Sequence, residues 1–243
     1  MRAIAAGALA LVVLASGCTI EINEPGAREQ GTELRTESRS VARQGAESVV
    51  TDISMGAGRL TIAGGATQLL DATFIYNVPE WRPIVEYSVN DSTGDLIVRQ
   101  PEAERFPRRT NVRYEWDLRL SNDVPMDLTV DLGAGQSNLD LRGINLGKLA
   151  LKTGAGQAVV DLAGDWRRDV TATVNAGVGE LTLRLPREVG ARVQIDSGIG
   201  AIDAGGLQRD GDAYVNDAFG ETPVTMRIMV NAGVGKINLE VGS

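Results

Sequence analysis

Residues 130–141 read Val-Asp-Leu-Gly-Ala-Gly-Gln-Ser-Asn-Leu-Asp-Leu, and this stretch decides the fold. Apolar and polar residues alternate on both sides of Gly-x-Gly, which is typical of half-buried β-strands. Glycine at the centre tolerates positive φ and lets neighbouring backbones approach closely, so we interpret Gly-x-Gly as a corner between two strands. The residues expected to face inward around this corner are Leu128, Val130, Leu132, Ala134, Leu139 and Leu141.

The same phrase occurs six times along the chain. Counted from its first glycine, the four central copies are 21, 23 and 21 residues apart, the last step is 35 and the first is 77. A period in the low twenties is typical of stacked solenoids, in which successive repeats pair as parallel strands. The sequence therefore predicts an all-β fold, a right-handed β-solenoid-like stack of repeats of about 21–23 residues. The expected corner glycines are Gly56, Gly58, Gly133, Gly135, Gly154, Gly156, Gly177, Gly179, Gly198, Gly200, Gly233 and Gly235.

Two other uses of Gly-x-Gly fit the sequence less well. A dinucleotide-binding loop needs a third glycine three residues on and a following helix, and no copy has that glycine. A calcium-binding β-roll needs a nine-residue repeat rich in Gly and Asp, which the sequence lacks. A looser polar ladder remains, and we interpret it as a solvated outer face in preference to a cation site. Its members are Asp140, Asp161, Asp203 and Asn238, with Thr182 as an interruption.

Residues 66–120 interrupt the repeat without leaving β-structure. They contain short strand-like apolar segments, a turn signal over residues 90–94, and a clean alternation over residues 114–120. We predict an inserted β-meander within one domain that spans residues 33–243. Trp81, which lies near two prolines, is expected to pack in the core or a loop in preference to forming an exposed contact.

Composition narrows the classes of function. The formal net charge is −8, and removal of residues 1–17 deletes only Arg2 and leaves −9. Phosphate binding needs clustered Lys and Arg, so nucleic acid is not expected as a partner. The chain has no histidine and one cysteine, which removes Ser-His-Asp triads, His-based metal sites and internal disulfides. We therefore expect no metal, no cofactor and no enzymatic activity.

The N-terminus predicts a secreted, lipid-anchored protein. Residues 1–17 contain one basic residue, a short apolar run and small residues, as secretory signal peptides do. Leu14-Ala-Ser-Gly-Cys18 resembles a lipobox, which implies cleavage before Cys18 and lipidation of that residue. Several acyl chains anchor a protein to a membrane stably. Residues 18–32 are polar and carry Pro and Gly, so we interpret them as a flexible tether. The expected location is the outer face of the cytoplasmic membrane, or the outer membrane where one exists.

Two insertions offer candidate binding loops, because loops that grow from a regular scaffold tend to carry specificity. The first contains Arg105, Arg108 and Arg109 beside acidic residues, and we interpret it as a solvated loop in preference to an anion site. The second, residues 207–223, contains Asp210 and Asp212.

The repeated phrases also resemble a known family. Residues 116–120, 124–135, 139–146 and 149–156 look like the toast-rack domain, and they are similar to the C-terminal domain of LiaF-like cell-wall-antibiotic-response proteins. The resemblance implies a β-solenoid, an envelope location and, in LiaF-like members, regulation of an envelope-stress sensor. It implies no catalytic residues.

Together these observations predict a non-catalytic binding domain that acts in envelope-stress sensing or surface interaction. The expected partners are the membrane, reached through the lipid, and an envelope sensor protein or a cell-wall polymer. Two alternatives stay open. One is an adhesin or glycan-binding module, and the other is a β-helical polysaccharide-cleaving enzyme, which needs a carboxylate pair or an Arg or Lys base in a groove.

Overall fold

The computed structural model describes residues 33–102 and 111–242, and nearly all regular structure within them is β-strand. The prediction of an all-β, solenoid-like fold is confirmed. The expected signal peptide and tether, with Cys18, lie outside the described residues. One 3₁₀ turn spans Pro79–Trp81. The strands are β1 (Arg35–Val41), β2 (Ser48–Gly64), β3 (Leu70–Tyr76), β4 (Ile84–Asn90), β5 (Thr93–Arg99), β6 (Tyr114–Leu120), β7 (Met126–Asp140), β8 (Leu146–Asp161), β9 (Val170–Leu185), β10 (Gly190–Asp203), β11 (Gln208–Asp210), β12 (Ala213–Val215) and β13 (Thr225–Val241).

Six long strands carry the Gly-x-Gly phrases and pair in parallel, and four of them keep their chain order as β2, β7, β8 and β9. β13 then lies between β9 and β10, so the expectation that successive phrases pair is wrong for the last two. Burial accounts for this order. Val230 and Ile237 of β13 are buried on both sides of its corner, which suits a strand flanked on each side. β10 is exposed from Asp196 to Asp203, which suits an edge.

Gly-x-Gly divides each long strand into a first arm and a second arm. Alternate residues face inward in both arms, but this alternation shifts by one residue at the corner, which we call a phase change. In β7, Leu132 and Ser137 are both buried although they are five residues apart, an odd number that regular alternation does not allow. Gly135 produces the change, because its φ of 130° is not one that residues with side chains adopt readily. The prediction that Ala134 faces inward is therefore wrong, and its side chain is exposed.

Residues 66–120 extend the sheet in two places and do not form one continuous meander. On one side of β2, β5 pairs with the first arm and β6 pairs with the second arm. β4 then extends β5, whereas β3 and β1 extend β6. Each inserted strand has seven residues, which is long enough to match only one arm of β2.

The core consists of the inward apolar residues of both arms, and an aromatic group lies where β3 and β6 pair. The Phe74 and Trp116 rings meet edge to face with centroids 5.5 Å apart. Trp81 meets Tyr114 in the same way at 5.5 Å, and the Tyr114 hydroxyl donates a hydrogen bond of 2.7 Å to the Trp81 carbonyl oxygen. Trp81 is 6% exposed, so it packs in the core.

Candidate binding surfaces

The corner glycines form a column across the sheet because neighbouring backbones pass too close for a side chain. A Cβ at Gly179 would overlap the carbonyl oxygen of Gly156, and a Cβ at Gly156 would overlap that of Gly135. At Gly56 it would meet only the Gln100 side chain. These glycines therefore allow successive strands to stack closely. The positions where a Cβ would overlap a neighbouring backbone carbonyl are Gly58, Gly133, Gly135, Gly154, Gly156, Gly177, Gly179, Gly198, Gly200, Gly233 and Gly235.

The middle residues of the phrases form an exposed column that sequence reasoning missed. Across β9, β13 and β10 this column contains Val178, Val234 and Ile199, which pair with one another and are 59%, 47% and 76% exposed. A signal was present in the sequence. Leu132 and Leu139 are seven residues apart, and an odd spacing between two inward residues indicates a phase change that turns the middle residue outward.

The structure gives one of the two predicted binding loops a contact within the protein. Asp210 and Asp212 both bind Arg192, with an Oδ2–Nη1 distance of 2.6 Å and an Oδ1–Nη2 distance of 3.1 Å. These bonds hold the β11–β12 hairpin against β10, so one oxygen of each carboxylate is engaged within the protein. The predicted cluster at 105, 108 and 109 lies outside the described residues.

The polar residues that the sequence placed in one ladder lie in two separate columns across the sheet. The strand register places Asp140 opposite Asp161. Asp161 is also 7% exposed, so the interpretation of a wholly solvated ladder is wrong there. Its Oδ1 accepts a hydrogen bond of 3.0 Å from the Ala163 N–H, which explains why a carboxylate is tolerated inside. The other column contains Thr182, Asn238 and Asp203.

A polar groove of about 550 Å³ lies at the turns that follow β6, β7 and β8. Three connections that are distant in sequence form it, because the parallel register brings the ends of successive strands to the same edge of the stack. Its lining residues are Asn122, Asp123, Arg142, Gly143, Ile144, Asn145, Leu146, Gly164, Asp165, Trp166, Arg167 and Arg168.

Several groups in the groove are fixed by bonds within the protein. Arg142 donates two hydrogen bonds to Asp140, of 2.8 and 2.7 Å, and this guanidinium holds the pKa of Asp140 below its ordinary value. Arg168 donates to the carbonyl oxygens of Asn145 and Leu146 at 3.0 and 3.3 Å. The buried Trp166 indole donates to a backbone carbonyl at 2.8 Å. The groove therefore has a rigid wall.

Other polar groups of the groove remain available to a ligand. The side chains of Asp165 and Arg167 are exposed and have no hydrogen-bond or ion-pair partner among residues 33–102 and 111–242. Asn122 accepts a hydrogen bond of 3.0 Å from the Gly65 N–H through Oδ1, which orients its amide NH₂ away from that contact. The arrangement offers donors and acceptors side by side, in a lining that also includes apolar residues.

One carboxylate outside the groove has a raised pKa. Burial, together with the neighbouring Asp131 and Asp95, raises the pKa of Asp52 above its ordinary value. Within the described part of the chain, no group of three or more His, Cys, Asp or Glu side chains is placed to hold a metal ion. In the same ranges, no helix is long and apolar enough to cross a membrane.

Comparison with protein families gives one match. The model for the N-terminal domain of toast_rack, DUF2154, matches residues 30–184. No match was found among the curated proteins.

Comparison with solved structures gives a strong similarity and several weak ones. A candidate cell adhesion protein from Clostridium sporogenes is 32% identical, with 86% of this chain and 100% of that chain covered and a TM-score of 0.84. A candidate adhesin from Bacteroides fragilis is 12% identical, with 86% and 98% covered and a TM-score of 0.29. One from Parabacteroides distasonis is also 12% identical, with 84% and 97% covered and a TM-score of 0.26.

Proposed function

The chain belongs to the toast-rack family, and from that premise we propose that it is a lipid-anchored extracytoplasmic protein that binds a partner at the cell surface without catalysis. Cys18 is the proposed anchor. The similarity to the candidate cell adhesion protein from Clostridium sporogenes, which covers all of that chain, supports a role in surface interaction. The absence of histidine from the sequence supports binding over catalysis.

The observation that carries the proposal is the groove at the turns after β6, β7 and β8. Asp165, Arg167 and Asn122 present planar polar groups to solvent beside a wall fixed by internal hydrogen bonds. Such groups pair with adjacent hydroxyls, which can donate and accept at once. We therefore assign the groove to a hydroxyl-rich glycan of the cell wall.

A co-sedimentation assay tests this assignment. The mature chain with Cys18→Ala is mixed with purified insoluble cell wall, and the bound fraction is measured over a range of protein concentrations. We expect Asp165→Ala/Arg167→Ala to weaken binding about tenfold, the scale of lost hydrogen bonds to charged groups. Arg59→Ala/Asp117→Ala is the matched control, because it removes the same charges from exposed positions outside the groove.

Three results would contradict the proposal. Equal loss in both double variants would show only a general charge effect. No sedimentation of the unaltered domain would remove the glycan as its ligand. Release of soluble sugar, abolished by a change of a single carboxylate, would favour the polysaccharide-cleaving enzyme. The sensor role implied by LiaF-like proteins stays a separate prediction, and co-purification of a sensor kinase from intact membranes would support it.

A further inference from the structure

The outer side of β10 is an open sheet edge over most of its length. β13 pairs with β10 from Gly190 to Asp203 on one side. On the other side β12 pairs only with Arg192–Gln194. Residues 195–203 therefore have no strand neighbour on that side within residues 33–102 and 111–242.

The backbone of this edge has groups ready to pair. Ala191 accepts a hydrogen bond from the Asn216 N–H at 3.2 Å and donates one to Asn216 Oδ1 at 2.8 Å. Both backbone groups of Ala191 thus point to the outer side. Because backbone direction repeats every two residues along a strand, the N–H and C=O of Ile195 and Ser197 point to the same side. Such groups are a template for an added strand.

The side chains along this edge do not protect it in the usual way. Exposed edges are commonly blocked by several charged residues, by Pro or by short length. β1, at the opposite end of the sheet, carries Arg35, Glu37 and Arg39. By contrast, the open segment of β10 carries no Lys, Arg or Pro, and its most exposed large residue is Ile199, at 76%.

The charge of the edge is negative. Asp196 and Asp203 are both exposed, and neither has an ion-pair partner among the described residues. On the outward face of the sheet, Asp196 lies beside Asn231 and Asp203 lies beside Asn238, near the two ends of the open segment. A strand that pairs here therefore meets an unneutralised carboxylate near each end and an exposed isoleucine at the centre.

We propose that the open edge of β10 binds an extended segment of another protein by strand addition, with cationic side chains facing Asp196 and Asp203. Backbone hydrogen bonds to residues 195–203 supply the pairing, as in other cases of β-augmentation. The apolar column of Ile199, Val234 and Val178 contacts the outward side chains at the middle of the segment.

A second copy of this chain fits the edge less well. Two copies related by a two-fold axis would pair antiparallel at this edge. Ser197 pairs with Ala232 and Ile202 pairs with Ile237, so both lie on the inward face of the sheet. A register that continues this inward face across the two copies places Ser197 opposite Ile202 of the second copy. In that register, Asp196 lies opposite Asp203 of the second copy. Like charges directly opposite each other destabilise a strand pair, which favours a cationic partner over self-association.

Fluorescence anisotropy with three labelled peptides tests the inference. The first is an extended peptide with a valine-rich centre and a lysine near each end, the second has glutamates in place of the lysines, and the third is the lysine peptide N-methylated at alternate residues. We expect the mature Cys18→Ala protein to bind the first peptide and to bind the other two at least about tenfold more weakly. The glutamate peptide loses the charge match, and the N-methylated peptide loses the backbone hydrogen bonds.

Protein variants locate the site. Asp196→Asn/Asp203→Asn changes two exposed side chains and should raise the Kd of the lysine peptide about tenfold. Asp95→Asn/Asp117→Asn, at exposed positions on β5 and β6, is the matched control and should leave this Kd unchanged. Hydrogen exchange should show new protection at Ile195 and Ser197.

Several outcomes would overturn the inference. They are absence of lysine-peptide binding at millimolar concentration, equal binding of the N-methylated peptide, or equal effects in both double variants. Concentration-dependent dimers in sedimentation velocity that Ile199→Asp abolishes would assign the edge to a second copy.

Discussion

The backbone of Gly179 in β9 lies against the carbonyl oxygen of Gly156 in β8, with no room for a side chain between them. The same relationship joins Gly156 to Gly135 and Gly135 to Gly58. Parallel, in-register pairing sets these glycines opposite one another, and the phase change at each corner brings the backbones close. The repeat in the sequence is thus a repeat of one steric requirement.

Replacement of Gly179 by Ala should destabilise the domain by roughly 3 kcal/mol, through overlap with Gly156 and through strain at a φ of 144°. Gly65→Ala is the matched control. Gly65 also has a positive φ, of 88°, but nothing lies near its missing Cβ, so its cost should be limited to about 1 kcal/mol of strain. Urea unfolding followed by circular dichroism measures both. Equal free energies of unfolding for the two variants would exclude the steric explanation.

Glu37 should make stability depend on pH in the acid range. Hydrogen bonds of 2.9 Å from Nε and Nη2 of Arg82, joined by one of 3.1 Å from Tyr76, lower the pKa of Glu37 from 4.5 to about 2. A lowered pKa in the folded state stabilises the fold above pH 4.5, and this contribution is lost as the pH falls towards 2.

Glu37→Gln should therefore cost about 1 kcal/mol at pH 7. The difference from the unaltered protein should shrink as the pH falls from 4.5 to 2. Denaturant unfolding at a series of pH values checks it. Glu80→Gln, which removes a carboxylate from an exposed neighbouring position, is the matched control. A loss for Glu37→Gln that stays constant across this range would argue against the pair.

Asp52 should behave in the opposite sense. Burial, Asp131 and Asp95 raise its pKa, so ionisation of Asp52 disfavours the folded state. That penalty is absent below the ordinary pKa of 3.8 and is complete above the raised value. Asp52→Asn should therefore stabilise the domain at pH 7, by only about 0.3 kcal/mol because solvent screens the charges. The gain should vanish below pH 3.8. Thermal unfolding of Asp52→Asn is compared with that of Asp117→Asn. Destabilisation by Asp52→Asn at pH 7 would contradict this prediction.

Cys18→Ala should release the protein from membranes or leave it uncleaved, because the proposed lipid is attached at that thiol. Detergent phase partitioning and intact-mass measurement of the mature chain check this. The unaltered protein should enter the detergent phase and carry the mass of its acyl chains. An accurately cleaved, unmodified protein in the aqueous phase would end the lipoprotein proposal.

Local patterns in the sequence were enough for the all-β class, the repeat and the position of each corner, since alternation and glycine spacing reflect short-range sterics. The family resemblance was also visible there. Ala134 was wrongly predicted to face inward, because two arms that each alternate correctly can be joined with or without a phase change. Only the odd spacing between Leu132 and Leu139 carried that information.

The tertiary structure alone decided which strands are neighbours. The order β9, β13, β10 depends on which strand can be buried on both sides, and Val230 and Ile237 of β13 meet that condition better than the exposed second arm of β10. The open edge follows from that order, and the groove follows from the parallel pairing that brings the ends of β6, β7 and β8 to one edge of the stack. Asp165 and Asn122 come from different turns, and residues 195–203 are left without an outer neighbour because β12 ends its pairing at Gln194. Local sequence determines how each strand alternates, whereas contacts between strands far apart in the chain determine which surfaces stay uncovered.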